Sequence, residues 1–165
     1  NELPVGGVGE ILLKGDIIMK GYWNKPEANH ESIVDGWFYT GDAGYFDDEG
    51  FLYIHDRVKD MIVSGGENIY PAEVENALMA HENISDAAVI GIPDDKWGEA
   101  VKGIVVINKD LSEAEIIEFA RTIIAGYKCP KSIDFIKELP RNPGGKILRR
   151  ELRTPYWKGR DRNVS

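Results

Sequence analysis

The sequence predicts an α+β fold in two parts: a β-rich end piece over residues 1–55, then a small domain of mixed sheet with flanking helices. Three observations lead there. Residues up to Ile54 carry strand and hairpin signals rich in aromatics, with at most one short helical piece after Pro26. Asp56-Arg57-Val58-Lys59-Asp60 is a charged bridge with a single apolar residue. Beyond it, strand-length apolar runs alternate with helical spacing in the order strand, helix, strand, strand, helix, strand.

Element by element, Gly9-Glu10-Ile11-Leu12-Leu13 reads as a strand opening after glycines. Gly21-Tyr22-Trp23-Asn24-Lys25-Pro26 is a turn-rich aromatic stretch, and Trp37-Phe38-Tyr39 leads into the turn Thr40-Gly41-Asp42-Ala43-Gly44. Tyr45-Phe46 and Phe51-Leu52-Tyr53-Ile54 flank Asp47-Asp48-Glu49-Gly50 as a hairpin. These strands are too few to enclose a core, so the segment reads as the end of a larger domain. Its exposed apolar strands predict partial disorder or self-association in isolation.

In the second part Met61-Ile62-Val63 is a short strand before the loop Ser64-Gly65-Gly66-Glu67-Asn68, and Pro71 opens a helix carrying Val74, Ala77, Leu78 and His81. Ala87 to Ile92 is a buried strand ended by Pro93-Asp94-Asp95, and Gly103 to Ile107 is another. Ser112 and Glu115 form a capping box for a helix that buries Ile116, Ile117, Ala120, Ile123 and Ile124 and ends at Gly126. Ile133 to Ile136 alternates as a half-buried strand. A short basic helix follows from about Ile147, and the tail from Thr154 is expected to be polar and mobile.

The 165 residues are 42% hydrophobic and 29% charged, with no apolar run of membrane-spanning length. A net charge of −8 argues against a general nucleic-acid binder. The basic cluster Lys146, Arg149, Arg150 and Arg153 reads as a solvated helix face rather than a polyanion site. The single Cys129 excludes an internal disulfide and fits a reducing, cytoplasmic setting; without a nearby His it reads as a structural thiol. His30, His55 and His81 stand too far apart for a local metal pair, so no metal site is expected. The opening Asn1-Glu2-Leu3-Pro4, without initiator Met or signal core, reads as the interior of a longer chain.

Three places carry candidate chemistry. Asp42, in a tight glycine turn, can present its carboxylate to paired hydroxyls such as those of a ribose; taken alone, an ordinary turn Asp is the favoured reading. Arg57 offers a planar fork for ribose or phosphate, and Gly65-Gly66 would let backbone approach a thin ligand; a salt-bridged linker and a plain hairpin are the alternatives. Pro140-Arg141-Asn142-Pro143-Gly144-Gly145-Lys146-Ile147 departs from the Walker phosphate loop. Pro140 stands where that motif opens with Gly, and Ile147 replaces the Mg2+-holding Ser/Thr. What remains is Lys146 on a flexible loop, either a mobile cation for a partner site or a surface lysine.

Together these segments resemble the adenylate-forming superfamily, which includes acyl-CoA synthetases, firefly luciferase and peptide-synthetase adenylation domains. The resemblance is carried by Gly9-Glu10-Ile11, Gly21-Tyr22-Trp23, Trp37 to Asp42, Asp56-Arg57, Gly65 to Glu75, and Gly144 to Arg150, and runs from about residue 9 to 153. It implies that 1–55 closes the large adenylating domain, 56–60 is a hinge, 61–152 is the C-terminal lid domain and 153–165 a tail. It further implies an acyl-CoA synthetase. A carboxylate attacks the α-phosphorus of ATP to give acyl-adenylate and pyrophosphate, and the thiol of CoA then displaces AMP. On this resemblance Asp42 and Arg57 hold the ribose, Asn68 touches the adenylate, and Lys146 stabilises charge during adenylation. Lys59 is the hinge, and Ser64, Gly65, Gly66 and Glu67 face the CoA tunnel after the lid turns.

Two departures from the family pattern stand out. Pro143-Gly144 replaces the usual Ser or Thr before Gly-Lys, and Val63 stands where some relatives carry a basic residue. ATP, CoA, a carboxylic acid and Mg2+ are the implied ligands, with the Mg2+ ligands, the phosphate loop and the acyl pocket in the N-terminal domain. The chain alone is therefore expected to be inactive. An adenylation domain loading a carrier-protein thiol is an alternative, as is a non-catalytic module of the same fold. If Ser165 is the true terminus, the lack of a carrier attachment site favours CoA, and joint retention of Asp42, Arg57 and Lys146 disfavours the module.

Overall fold

The computed structural model describes residues 2–160, which form two compact units, the first ending at Lys59 and the second beginning at Asp60. In the first unit β1 (Gly9–Leu13) precedes the helix α1 (Pro26–Ser32), and β2 (Ile33–Val34), β3 (Trp37–Phe46) and β4 (Leu52–Arg57) follow. β1, β2 and β4 all pair antiparallel with β3 in one sheet. The β3–β4 turn is closed by Asp47, whose Oδ1 accepts from Glu49 N at 3.0 Å and Phe51 N at 2.8 Å. Where the β3–β4 register shifts beside Gly44, a Cβ would sit 2.5 Å from the Tyr53 carbonyl, so the strands close up only on glycine. Ala43 is the one buried hydrophobic of this unit among the described residues, while Trp23, Ile54, Phe51 and Phe46 are largely exposed. Such a sheet buries little apolar area to set against its ordering entropy.

A 3-10 turn, Val58–Asp60, leads to the second unit. Its elements are β5 (Ile62–Ser64), β6 (Glu67–Ile69), α2 (Pro71–Met79), β7 (Ile84–Asp94), β8 (Gly98–Ile107), α3 (Glu113–Arg121), β9 (Ser132–Phe135) and α4 (Arg149–Arg153). The five-stranded sheet runs β6-β5-β8-β7, with β9 parallel to β8. Alternate residues of β7 and β8 enter two cores. Ala87, Val89, Val101 and Val105 join Val74, Leu78 and Ile116 on one face. Ala88, Ile90 and Ile104 join Leu139, Leu152 and Tyr156 on the other. Cover on both faces explains why these strands read as continuous apolar runs rather than alternating ones. The capping box forms as expected: Ser112 Oγ accepts from Glu115 N while Glu115 Oε2 accepts from Ser112 N at 2.8 Å, an arrangement that contributes about 1 kcal/mol.

Several expectations are corrected. β7 does not stop before Pro93 but runs to Asp94, because the long hairpin with β8 carries its pairing to Asp94↔Gly98. α2 ends at Met79, so His81 lies beyond it and stacks edge-on against Phe119 at 4.7 Å. α3 ends at Arg121 with Thr122 as cap, not at Gly126, and Ile123 is 48% exposed because it falls past the helix. The tail from Thr154 is not polar and mobile as far as Arg160. Tyr156 packs in the second core, and the Trp157 indole N–H donates to Gly91 O at 2.9 Å. The remainder of that tail lies outside the described residues.

Candidate functional site

Antiparallel pairing of β3 with β4 sets Asp42 opposite Arg57, and the side chains meet as an ion pair, Arg57 Nη1 to Asp42 Oδ1 at 3.0 Å. Thr40 to Gly44 is not the expected turn but part of β3, because pairing with β1 and β4 holds it extended, and the strand before Asp42 is tied from several sides. Gly41 takes a φ of +72°, and its N–H donates to Glu10 Oε1 at 3.0 Å. The Thr40 hydroxyl donates to Ile11 O at 2.8 Å and accepts from Asp42 N at 3.1 Å. Arg57 Nε is shielded from water and finds no acceptor among the described residues.

In the second unit, the Ser64–Asn68 loop is tighter than the sequence reading, because Glu67–Ile69 is itself a strand. Ser64 pairs with Glu67 across Gly65-Gly66, whose φ values of +62° and +87° make a two-residue hairpin turn of the mirror-image kind. Gly65 N–H donates to Trp97 O at 2.9 Å, and a Cβ on Gly65 would lie 2.7 Å from Trp97 Cε3. The indole thus sits against the turn, with Lys96 Nζ 4.4 Å from its ring centre. Asn68 and Glu67 are exposed on β6, and Lys59 is exposed at the end of the first unit.

Lys146 is exposed on a loop that is less free than its glycines suggest. Arg141 bridges Ile147 across it, Asn142 N donates to Lys146 O at 2.9 Å, and Asn142 Oδ1 accepts from Lys146 N at 2.9 Å. The basic cluster behind it is not a solvated face. Arg149 pairs with Glu75 at 2.7 Å and Arg153 with Asp60 at 2.9 Å, all four side chains largely withdrawn from water; only Lys146 and Arg150 of the cluster are exposed.

Residues 73–146 match the family of the AMP-binding enzyme C-terminal domain. Those residues carry the C-terminal domain of the AMP-binding enzymes. Over 151 residues it is 52% identical to the long-chain-fatty-acid–CoA ligase FadD13 of Mycobacterium tuberculosis, covering 91% of this chain and 30% of that protein. It is 49% identical to the 2-succinylbenzoate–CoA ligase of Bacillus mycoides, covering 92% and 31%. The o-succinylbenzoate CoA synthetase of Bacillus subtilis, solved with an acyl-adenylate intermediate, is similar with a TM-score of 0.85 and 44% identity, covering 91% of this chain and 31% of that one. The ATP-bound MatB of Rhodopseudomonas palustris matches at TM-score 0.85 and 38% identity, covering 93% and 31%. The chain thus spans under a third of the length of these curated relatives.

Within the AMP-binding C-terminal portion the α+β reading holds. Asp42 meets Arg57 in the first unit, while Ser64 to Asn68 and Lys146 belong to the second. Sequence reasoning missed the residues that hold these groups: Trp97 under the Gly65 turn, Arg141 and Asn142 around Lys146, and Glu75 with Asp60 behind Arg149. Arg141 and Asn142 flank Lys146 in the sequence, but Trp97, Glu75 and Asp60 reach their partners only through the tertiary fold. No helix among the described residues is long and apolar enough to cross a membrane.

Proposed function

We propose that the chain is the C-terminal end of an ATP-dependent acyl-CoA synthetase that joins a carboxylic acid to CoA through an acyl-adenylate, and that it does not turn over by itself. The observation that carries this reading is the joint presence of the Asp42–Arg57 pair and a tethered, exposed Lys146 in a chain 52% identical to a CoA ligase. CoA as the acceptor rests on the names of both curated relatives, the fatty-acid–CoA and 2-succinylbenzoate–CoA ligases.

In this reading Arg57 engages Oδ1 of Asp42 and orients the carboxylate, leaving Oδ2 to accept from the ribose hydroxyls, with Arg57 beside the same sugar. Lys146 brings a positive charge to the carboxylate and bridging oxygen as the anhydride forms, where a fixed cation lowers the barrier. Asn68 contacts the adenylate. Lys59, last residue of the first unit, is the hinge, so that 61–152 acts as a lid and 1–55 closes the adenylating domain. Ser64 to Glu67 then line the path of CoA. The Mg2+ expected with ATP finds no cluster of ligating side chains among the described residues, and no step is assigned to it.

The test uses the full-length enzyme and its Lys146→Ala variant with ATP and a panel of carboxylic acids. Acid-dependent pyrophosphate release is measured apart from thioester formation from premade acyl-adenylate. Loss of the first with survival of the second is the expected result. Unchanged pyrophosphate release in the variant refutes the role of Lys146, and release of pyrophosphate by the 165-residue chain alone refutes its dependence on the large domain.

A further inference from the structure

Lys146 sits in a segment with every reason to wander. Pro143, Gly144 and Gly145 precede it, and at Gly145, with a φ of +82°, an added Cβ would meet nothing within 4 Å. Two side chains span the loop, and one of them, Asn142, accepts from Lys146 N through its Oδ1 at 2.9 Å without leaving the loop. Arg141 Nη1 donates to the Gly145 carbonyl at 2.7 Å, immediately before Lys146. Its Nη2 reaches both oxygens of Asp86, at 2.9 and 2.7 Å. Asp86 is itself fixed at the register shift near the start of β7, where its Oδ1 also accepts from Ala87 N at 3.1 Å. Leu139 and Ile147 pack the two ends of the loop on the second core of the sheet, and the Arg141 guanidinium ties the stretch between them to Asp86.

We infer that Arg141 is a positioning residue, which with Asp86 holds the Gly145–Lys146 peptide so that the lysine is presented in one place for adenylation. The inference rests on the reading of Lys146 as the adenylation lysine. The alternative is an ordinary surface ion pair. The two side chains are 41% and 30% exposed, a setting in which such a pair adds little to stability. An ordinary pair would not need the third contact, to the carbonyl next to Lys146. Arg suits all three at once because its fork is planar and carries five donors; Lys offers a point charge without that geometry. A catalytic cation works only when held near the reacting atoms, and a displacement of about 1 Å can cost on the order of 100-fold.

The full-length enzyme is compared as wild type, Arg141→Gln, Arg141→Lys, Asp86→Asn, Lys146→Ala and the Arg141→Gln/Lys146→Ala double variant. Arg141→Gln is expected to lower kcat for acid-dependent pyrophosphate release about 10-fold with the ATP KM within about twofold. Thioester formation from premade acyl-adenylate should stay within about twofold. Arg141→Lys should recover part of the loss, and Asp86→Asn should lose less than Arg141→Gln because the Gly145 contact survives. In the double variant Arg141→Gln should add almost nothing to Lys146→Ala, since a residue acting through the lysine has nothing left to position. Hydrogen exchange across residues 140–148 should quicken in Arg141→Gln while the rest of the domain is unchanged. Equal loss in both half-reactions, or a full multiplicative loss in the double variant, overturns the inference. If Lys146→Ala leaves adenylation intact, the functional reading fails instead. The exchange measurement then decides alone: faster exchange keeps Arg141 as the anchor of this loop, and unchanged exchange removes it.

Discussion

Arg149 grips both carboxylate oxygens of Glu75, at 2.9 and 2.7 Å, and its Nη1 lies 3.9 Å from Asp60, the first residue of the second unit. Arg153 completes the cluster on Asp60, and Glu75 Oε1 also accepts from Val89 N at 2.8 Å. α4 is thereby bound to α2 and to the start of the second unit by charges that are mostly out of water. Removing one member leaves an uncompensated charge, so Glu75→Ala is expected to cost on the order of 3 kcal/mol, with Glu75→Gln milder. Urea unfolding of the chain measures this. A midpoint that hardly moves for Glu75→Ala would mean that the cluster is solvated after all.

The two glycines of the β5–β6 turn separate backbone strain from side-chain collision. Both have positive φ, but only at Gly65 would a Cβ strike Trp97; at Gly66 it meets open space. Gly66→Ala therefore carries only the backbone cost of about 1 kcal/mol, and Gly65→Ala adds displacement of the indole for roughly 1–3 kcal/mol in all. Thermal midpoints should fall in that order. In the full-length enzyme Gly65→Ala should slow thioester formation and spare pyrophosphate release, since the turn is assigned to the CoA path. Equal midpoints for the two variants would remove Trp97 from the account.

What could be read in the sequence was local. The Ser112 capping box, Pro71 at a helix start and the Asp47–Gly50 turn each rest on neighbours a few residues apart, and each forms. The ends of β7 and α3 were not legible, because cross-strand pairing to Gly98 and packing of the turn after Arg121 decide them. The fate of the basic cluster was hidden for the same reason. Arg149 and Arg153 look solvated until Glu75 and Asp60, 74 and 93 positions away, are brought beneath them. Tyr156 and Trp157 were hidden inside a polar tail whose composition alone gives no sign that two aromatic rings dock on the sheet.

Asp42 is 31% and Arg57 37% exposed, so their ion pair should matter little for folding, under about 1 kcal/mol after solvent screening. Its expected role is in binding. Asp42→Ala in the full-length enzyme should raise the ATP KM about 10-fold, with a denaturation midpoint close to wild type. Steady-state kinetics with varied ATP, beside a urea titration, provide the check. A large stability loss with an unchanged KM would reassign the pair to structure.

Tyr156 gives the chain an alkaline limit. Burial, followed by its hydrogen bond to the Asp134 carboxylate, pushes the phenol from 10.0 up to about 12. Burial also works to raise Asp134, but hydrogen bonds from Lys102 and Tyr156 outweigh it and hold that carboxyl low. A phenol whose pKa is raised on folding stabilises fully below pH 10, where both states keep the proton. Between about 10 and 12 the unfolded chain releases the proton while the folded chain keeps it, so stability falls as pH rises through that window. Lys128, raised by its hydrogen bond to Glu73, contributes with the same sign. Tyr156→Phe should thus lower stability near neutral pH by about 1 kcal/mol, since Asp134 is partly exposed, and should flatten the decline above pH 10 without abolishing it. Thermal midpoints of both proteins from pH 7 to 11.5 test this; parallel curves would show that Tyr156 does not set the alkaline limit.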